Sequence, residues 1–368
     1  TPGTKAQSVV ELATPREAHI HLRGNFLTKG EKVETKGLDV LPGVATKGDS
    51  LTRLDLAHWT VSPDNPLTAR VTVNRVWQRY FGRGIVETSD DFGVQGAEPT
   101  HPLLLDWLAV DFRDNGWSLK KLHRIILNSS VYQQASAHRK ELAETDPENE
   151  LLARQYRSRV EAEIIRDLAL DASGLFVETV GGPSVRPPQP AEYSALTYAN
   201  SAKWQTSEGD NRYRRGMYTF FQRTSPYPML MTFDAPDSNV CIAKRSRSNT
   251  PLQALTIWND VVFTECAQNL GRRIVTEVEA SGKVENDIQR RIYHAFLTCL
   301  ARRPTRHEMT IVSKFYQTQL EQLSKDDQGA KEVLGESPMP EAASLAETAS
   351  WVAVARALLN TDEFITKE

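Results

Sequence analysis

The chain has 368 residues, of which 40% are hydrophobic and 25% charged, and its formal net charge is −3. This composition supports a packed core and excludes wholesale disorder, and a net charge near zero argues against a protein that binds nucleic acid with its whole surface. No uninterrupted apolar run approaches the ~20 residues that cross a bilayer, so the sequence predicts no membrane span. At roughly 150 residues per domain, the length predicts two or three domain-sized units or one larger domain.

The apolar spacing divides the chain into four segments. Residues 1–49 are typical of an extended arm with one short strand, and residues 50–175 of the first half of a helical core. Residues 176–249 combine turn residues with β-prone runs, which indicates an irregular β/loop insertion. Residues 250–368 return to helical spacing and complete the same core. The predicted fold is therefore mainly α: an irregular multi-helix domain with a small β/loop insertion and an extended N-terminal arm.

Helices are predicted where apolar residues recur at three- and four-residue spacing. In chain order they begin near 51 and then cover 67–81, 100–112, from 118 onward, 157–175, 251–278, 287–300, 305–323 and 341–360. The acidic stretch 325–340 is predicted to be a loop. Two apolar stripes are expected to pack against each other: Val73, Trp77 and Phe81, and Leu104, Trp107 and Leu108.

The three cysteines, Cys241, Cys266 and Cys299, lie far apart, and no C-x-x-C motif occurs. This spacing excludes a zinc ribbon and covalent c-type haem attachment within the chain, so no covalently held cofactor is predicted. Cys266 and Cys299 lie in apolar helical contexts, where we expect small buried side chains. A divalent metal held by carboxylates or histidines remains open.

Asp90 and Asp91 lie in a glycine-flanked loop shortly before His101. Paired carboxylates near an imidazole can bind a divalent cation or supply a general acid and base, which makes these residues catalytic candidates. The alternative is structural: the two aspartates make turns to backbone amides, and His101 occupies the start of a helix.

His19 and His21 are separated by one residue on the predicted strand. Both would then face the same side, at a spacing suited to a metal ion. Since the sequence offers no third ligand beside them, two partly exposed strand histidines are the alternative.

Residues 211–250 carry a local excess of positive charge interleaved with aromatic residues. Planar guanidinium groups beside aromatic rings suit carboxylated, sulfated or phosphorylated ligands, including acidic glycans. The residues expected to bind such a ligand are Arg214, Arg215, Arg245, Arg247, Tyr213 and Tyr218. In the alternative, these arginines are buried and paired with carboxylates such as Asp234, Glu161 or Glu163; the last two are two residues apart and face different sides of a helix.

Several ordered motifs over roughly residues 20–365 resemble one known family. They are Asn74-Arg75-Val76-Trp77-Gln78, Asp90-Asp91-Phe92-Gly93, Asn249-Thr250-Pro251-Leu252-Gln253 and the runs 50–57, 64–71, 81–84, 100–107, 116–120, 161–167, 233–237 and 355–364. The chain resembles the planctomycete-type domain of unknown function at the C-terminal end of large secreted cytochrome c-like proteins. The resemblance implies an extracytoplasmic location and a haem-bearing cytochrome c-like partner, and no assigned reaction. The family usually has consecutive arginines before its Thr-Pro-Leu-Gln block, where this chain has Lys244-Arg245-Ser246-Arg247.

These observations support three hypotheses about function. The first is a non-catalytic extracytoplasmic module that binds an acidic polymer or protein partner for a cytochrome c-like redox system. The second is a carbohydrate-active or metal-dependent enzyme that uses Asp90, Asp91 and His101, with arginines holding an anionic substrate. The third is a structural component of an envelope or assembly.

Overall fold

A computed structural model describes residues 7–367 except 13, 15, 47, 49, 143, 191–192, 194–203, 280–286 and 342. The chain forms two compact units, unit 1 (Thr1–Tyr156) and unit 2 (Arg157–Glu368). Helix accounts for 48% and strand for 5%, which confirms the predicted mainly-α class. In the part of the chain described, no helix is long and apolar enough to cross a membrane.

The arm of unit 1 contains a small antiparallel hairpin. Strand β1 (Ala18–His21) pairs with β2 (Lys29–Val33), so that Ala18 lies opposite Val33 and His19 opposite Lys32. The short strand near residue 18 was predicted from alternation; its partner strand has no such pattern. Most described side chains of residues 7–46 are exposed, as expected for an arm.

Unit 1 continues with four helices among its described residues: α1 (Arg53–Thr60), α2 (Thr68–Phe81), α3 (Pro102–Asp114) and α4 (Leu119–Leu127). Helix α2 ends at Gly82, whose φ of +74° suits glycine, and Ser118 caps α4. The core joins the apolar faces of α2, α3 and α4; its fully buried members are Val73, Trp77, Phe81, Ile85, Val86, Leu105, Leu108, Phe112, Leu122 and Ile126.

One residue of the predicted buried stripe of α3, Trp107, is wrong, whereas Leu108 is buried as predicted. Trp107 is 55% exposed, whereas Leu105, Leu108 and Phe112 are buried. Residues 105, 108 and 112 are spaced by three and four, and residues 107 and 108 likewise lie three and four residues after 104. Because α3 offers apolar residues on both faces, periodicity alone leaves its rotation undecided.

Unit 2 is a helical assembly closed by a short ladder. In chain order its elements are β3 (Ser158–Arg159), α5 (Ala162–Ser173), α6 (Pro228–Thr232), α7 (Pro251–Asn259), α8 (Val261–Glu279), α9 (Asp287–Leu300), α10 (Arg306–Leu323), α11 (Asp327–Leu334), α12 (Leu345–Leu359) and β4 (Thr366–Lys367). Helix α8 lies at the centre and packs against α5, α7, α9 and α12. At Gly271 of α8 the backbone of α12 comes so close that a Cβ atom would lie 2.7 Å from the amide nitrogen of Val352. Strands β3 and β4 pair antiparallel, with Arg159 opposite Thr366.

Three local predictions for unit 2 are wrong. The loop predicted at 325–340 contains α11, because Asp326 caps it by accepting from the Gly329 amide (2.9 Å) and its Ala330 and Leu334 are buried. The helix predicted at 157–175 begins only at Ala162. The helix predicted at 251–278 is interrupted at Asp260, whose backbone is extended.

The segment 176–249 is looped, and among its described residues β pairing is limited to isolated bridges such as Val177–Arg214 and Val185–Thr219. The β-prone run near 218 contains a short 3₁₀ turn, Gly216–Tyr218. The strands of unit 2 lie instead at 158–159 and 366–367. Side-chain hydrogen bonds, such as those of Arg214 to the Thr179 and Pro183 carbonyls, hold the insertion in its conformation.

The boundary between the units falls after Tyr156, inside the segment 50–175. Of the cysteines, all free in the structure, Cys266 is buried, Cys299 half-buried and Cys241 exposed. Burial of Cys266 confirms its expected place in the core.

Candidate anion-binding surface

The carboxylate of Asp234 holds the loop after α6 in place through hydrogen bonds. Asp234, at a φ of +61°, accepts hydrogen bonds from the backbone amide (2.8 Å) and the hydroxyl (2.8 Å) of Ser248. The guanidinium of Arg159, on β3, donates to the same carboxylate at 2.5 Å. Gln253 of α7 donates to the Ser248 hydroxyl (3.0 Å). One network therefore joins β3, the 234–248 loop and the first turn of α7.

Positive charge accumulates around this network. Arg247, next to Ser248, is exposed and has no hydrogen-bond or ion-pair partner in the described part of the chain. Burial lowers the pKa of Arg159, and the charge of Arg247 lowers it further, although Asp234 opposes both effects. Burial also lowers the pKa of Lys367, and Arg247 again adds to the shift. Arg159, Arg247 and Lys367, the basic cluster, thus lie within electrostatic range of Asp234 or of one another.

Arg245 is already satisfied by carboxylates. Its guanidinium donates to both carboxylate oxygens of Glu163 (2.8 and 3.2 Å) and lies 3.6 Å from Glu161. Glu161 precedes α5 with an extended backbone, so the rule that residues two apart on a helix face different sides does not apply to it. The alternative predicted from the sequence, an internal pair with Glu163, is what the structure contains.

Arg214 holds a turn of the insertion in place. It is 3% exposed and donates to the carbonyls of Thr179 (3.3 Å), Gly181 and Pro183 (2.9 Å). Its guanidinium stacks 4.1 Å from the ring centroid of Tyr218, whose hydroxyl accepts from the Gly181 amide (2.7 Å). A fixed guanidinium supplies donors that a neighbouring strand would otherwise provide, which explains why this segment has order without a ladder.

The remaining predicted ligand residues differ in how far they are exposed to solvent. Tyr213 is half-buried against the core of unit 2, and burial raises its pKa. Arg215 is exposed, with its guanidinium 5.7 Å from the Phe176 ring centroid. Burial raises the pKa of the neighbouring Asp167, an effect that the charge of Arg215 partly offsets. The structure therefore leaves Arg215 and Arg247 at the surface and buries Arg214.

The predicted catalytic trio is not assembled by any described bond. Asp91 accepts from the Gly93 amide (2.8 Å) in a local turn, and Asp90 is exposed. His101 Nδ1 lies 2.9 Å from the Thr100 hydroxyl, and no hydrogen bond or ion pair of the described residues joins it to either aspartate.

The two strand histidines also serve local structure. His19 Nδ1 lies 3.1 Å from the Gly30 carbonyl across the hairpin, while His21 is exposed. Within the described ranges, no three or more His, Cys, Asp or Glu side chains are grouped to hold a metal ion.

Comparison with known families now places the chain. The model of the PSD1 family, proteins of unknown function (DUF1553), matches residues 52–316, more than two thirds of the sequence. The chain belongs to the PSD1 family. No curated protein and no solved structure matches it.

The PSD1 match includes Arg159 and Arg247 and ends before Lys367. Arg159 and Lys367 are the members of the basic cluster that sequence reasoning missed. Arg159 was assigned to a helix that begins only three residues later, and Lys367 lies far from 211–250 in sequence. The sequence signal that could have predicted the strand at Lys367 is the β-branched pair Ile365-Thr366. Such residues favour a strand, and a strand this short requires a partner from elsewhere in the chain.

Proposed function

We propose that this PSD1 chain is a non-catalytic binding module that holds an anionic group of a partner on the basic cluster. The supporting observation is the charge arrangement: Arg159 pairs with Asp234, and Arg247 lies within electrostatic range of both Arg159 and Lys367. Arg247 is exposed and without a described partner, so an incoming anion reaches it at no cost of breaking an ion pair. Burial lowers the pKa values of Arg159 and Lys367, and such an anion offsets the repulsion by Arg247 that adds to both shifts.

The chemistry of the cluster favours carboxylate, sulfate or phosphate groups. Arginine presents a planar fork of donors that matches these anions, and it stays charged at any physiological pH. Arg159 is itself occupied, since its side chain is 10% exposed, pairs with Asp234 at 2.5 Å and lies 5.4 Å from the Phe233 ring centroid. It therefore adds positive potential, and the exposed Arg247 is the side chain that contacts the anion.

The wider setting of the module rests on the resemblance of its motifs. On that basis the module works outside the cytoplasm, beside a haem-bearing cytochrome c-like domain or protein, and an acidic glycan is one anionic polymer it could hold. Absence of covalent haem from this chain stays a prediction, which a haem stain after denaturation tests. Among the described residues, Asp91 and His101 make only local hydrogen bonds, to the Gly93 amide and with the Thr100 hydroxyl, which do not support the alternative enzyme built on Asp90, Asp91 and His101.

Binding of fluorescent heparin and of poly-L-glutamate, as sulfate and carboxylate probes, tests the proposal. An exposed charge pair contributes up to about 1 kcal/mol, so Arg247→Ala should raise the Kd roughly fivefold. Added salt should weaken binding of the unmodified chain, because the screening length falls to ~8 Å near physiological ionic strength.

Arg306→Ala is the matched control. Arg306 is an exposed arginine of unit 2, at the start of α10, without a described side-chain partner. It removes the same charge away from the basic cluster. Equal Kd values for Arg247→Ala and Arg306→Ala would reject the proposal.

A further inference from the structure

Helix α7 leaves an apolar face uncovered. Of its nine residues only Gln253 and Ile257 are buried, whereas Leu252 is 60%, Leu255 55% and Trp258 38% exposed. These three residues follow one another at three-residue spacing and form a single slanted ridge. Adjacent apolar side chains exposed along one helix typically mark a site of interaction.

The last residue of this ridge is held in place before any partner arrives. The Arg356 guanidinium lies 4.7 Å from the Trp258 ring centroid and donates to the Trp258 carbonyl at 2.6 Å. A large ring fixed in this way loses little freedom on binding, which is the property of an anchor residue in an interface.

The first turn of α7 is bonded to the loop that carries Arg247. Gln253, in the first turn of α7, donates to the Ser248 hydroxyl (3.0 Å), and Arg159 donates to the Ser248 carbonyl (3.4 Å). Arg247 precedes Ser248 directly. Positive charge therefore lies near the N-terminal end of α7, and exposed apolar side chains follow along the helix.

We propose that this surface docks an acidic amphipathic helix of a partner protein. Apolar residues on one face of that helix cover Leu252, Leu255 and Trp258, and carboxylates at one end contact Arg247. Charge complementarity selects the carboxylates, and the apolar ridge favours a polypeptide over a glycan, whose hydroxyl and sulfate groups would leave the ridge unpartnered. This inference rests on the proposed function and names its partner.

The test measures binding of a synthetic helical peptide of about 20 residues to the full chain. The peptide carries leucines along one face and glutamates at one end; a second peptide has lysines in place of the glutamates. We expect the acidic peptide to bind and the basic one to bind at least about tenfold more weakly. The double variant Leu252→Ser/Leu255→Ser should weaken binding of the acidic peptide roughly tenfold or more, and Arg247→Ala should weaken it too.

Ile311→Ser is the control, since Ile311 is an exposed apolar residue on α10 of the same unit. It should leave peptide binding unchanged, and circular dichroism should show all variants folded. The double variant should also keep its affinity for heparin, which depends on the basic cluster alone.

Other outcomes overturn the inference. If the unmodified chain does not bind the acidic peptide, or if the double variant binds it as tightly as the unmodified chain does, no helix docks on α7. Heparin binding tests the proposed function separately. Heparin binding that falls together with peptide binding in the double variant would assign the ridge to a glycan. Concentration-dependent self-association that the double variant abolishes would assign it to a second copy of the chain.

Discussion

Arginine side chains of unit 2 differ in what satisfies their charge. Arg214 is buried and donates hydrogen bonds to carbonyl oxygens, Arg245 is paired with Glu163, and Arg247 is exposed to solvent. The three lie in one stretch of similar composition. They differ in the groups that the fold brings close to each guanidinium. Only an arginine that the fold leaves without a carboxylate, such as Arg247, can pair with a carboxylate of another molecule.

Two tryptophans of unit 1 provide a test of the core. Trp77 is 5% exposed and its ring centroid lies 4.3 Å from that of Phe81. Replacing a buried Trp by Ala typically costs about 3–5 kcal/mol, through lost burial and the cavity left behind. We expect Trp77→Ala to lower the free energy of unfolding by that amount in a urea titration. Trp107→Ala, at the exposed position of α3, should change it by less than about 1 kcal/mol; similar losses for both would contradict the packing described.

Acid should weaken unit 2 through Glu308. Hydrogen bonds from Arg302 lower the pKa of Glu308 to about 2, from an ordinary value of 4.5. A carboxyl whose pKa is lower in the folded chain stabilises the fold above its unfolded pKa, and this contribution is lost as the pH falls toward the folded value.

Glu308→Gln should therefore cost about 1 kcal/mol or less near pH 6, since the pair is partly exposed, and clearly less near pH 2, where the carboxyl is becoming protonated. Glutamine also fits the capping box that Glu308 forms with Thr305, so the change removes charge and keeps the cap. Urea titrations across this range measure the difference. Glu321→Gln, in the exposed pair with Lys325, is the control and should show a smaller pH dependence.

At the scale of elements, Gly271 sets how closely α8 and α12 approach. Glycine in a helix interior costs roughly 1 kcal/mol relative to alanine, so a compensating reason is required. That reason is the backbone of α12, since a Cβ at this position would lie 2.8 Å from the Val352 Cα.

Gly271→Ala should lower the free energy of unfolding by about 1–3 kcal/mol, as overpacked cores do. Because the clash involves backbone atoms as well as the Val352 side chain, adding Val352→Ala should not restore stability. Gly43→Ala, where a Cβ meets nothing within 4 Å, should be neutral in the same thermal melts. Rescue by Val352→Ala would show that only the side chain limits the approach.

Helices with a clear apolar period were predictable, and α2, α9 and α10 lie within about two residues of their expected bounds. Helix α11 was missed because its short apolar pattern is set in an acidic, glycine-containing stretch. The insertion 176–249 was misjudged because bonds such as those of Arg214 leave no local period. For the surface, Arg247 was identified from composition, whereas Lys367 joins it only through the pairing of β3 with β4.

At the scale of the molecule, each unit has its own apolar core. We therefore expect residues 157–368, expressed alone, to fold with one cooperative thermal transition. Since Arg159, Arg247 and Lys367 all belong to unit 2, this fragment should bind heparin within about twofold of the full chain. An unfolded fragment, or one that binds no better than its Arg247→Ala variant, would show that the basic cluster depends on unit 1.

The ladder between β3 and β4 also imposes an order in time. It joins residues 158–159 to 366–367, so its first strand leaves the ribosome long before its second. Contacts within unit 1 are complete once residue 156 has emerged, whereas unit 2 must wait for the last strand before its ends can meet. A nascent chain halted shortly before residue 366 would carry every helix described here and still lack the ladder that brings Lys367 beside Arg247. Emergence of residues 366–367, rather than formation of the helices, is the step that assembles the surface.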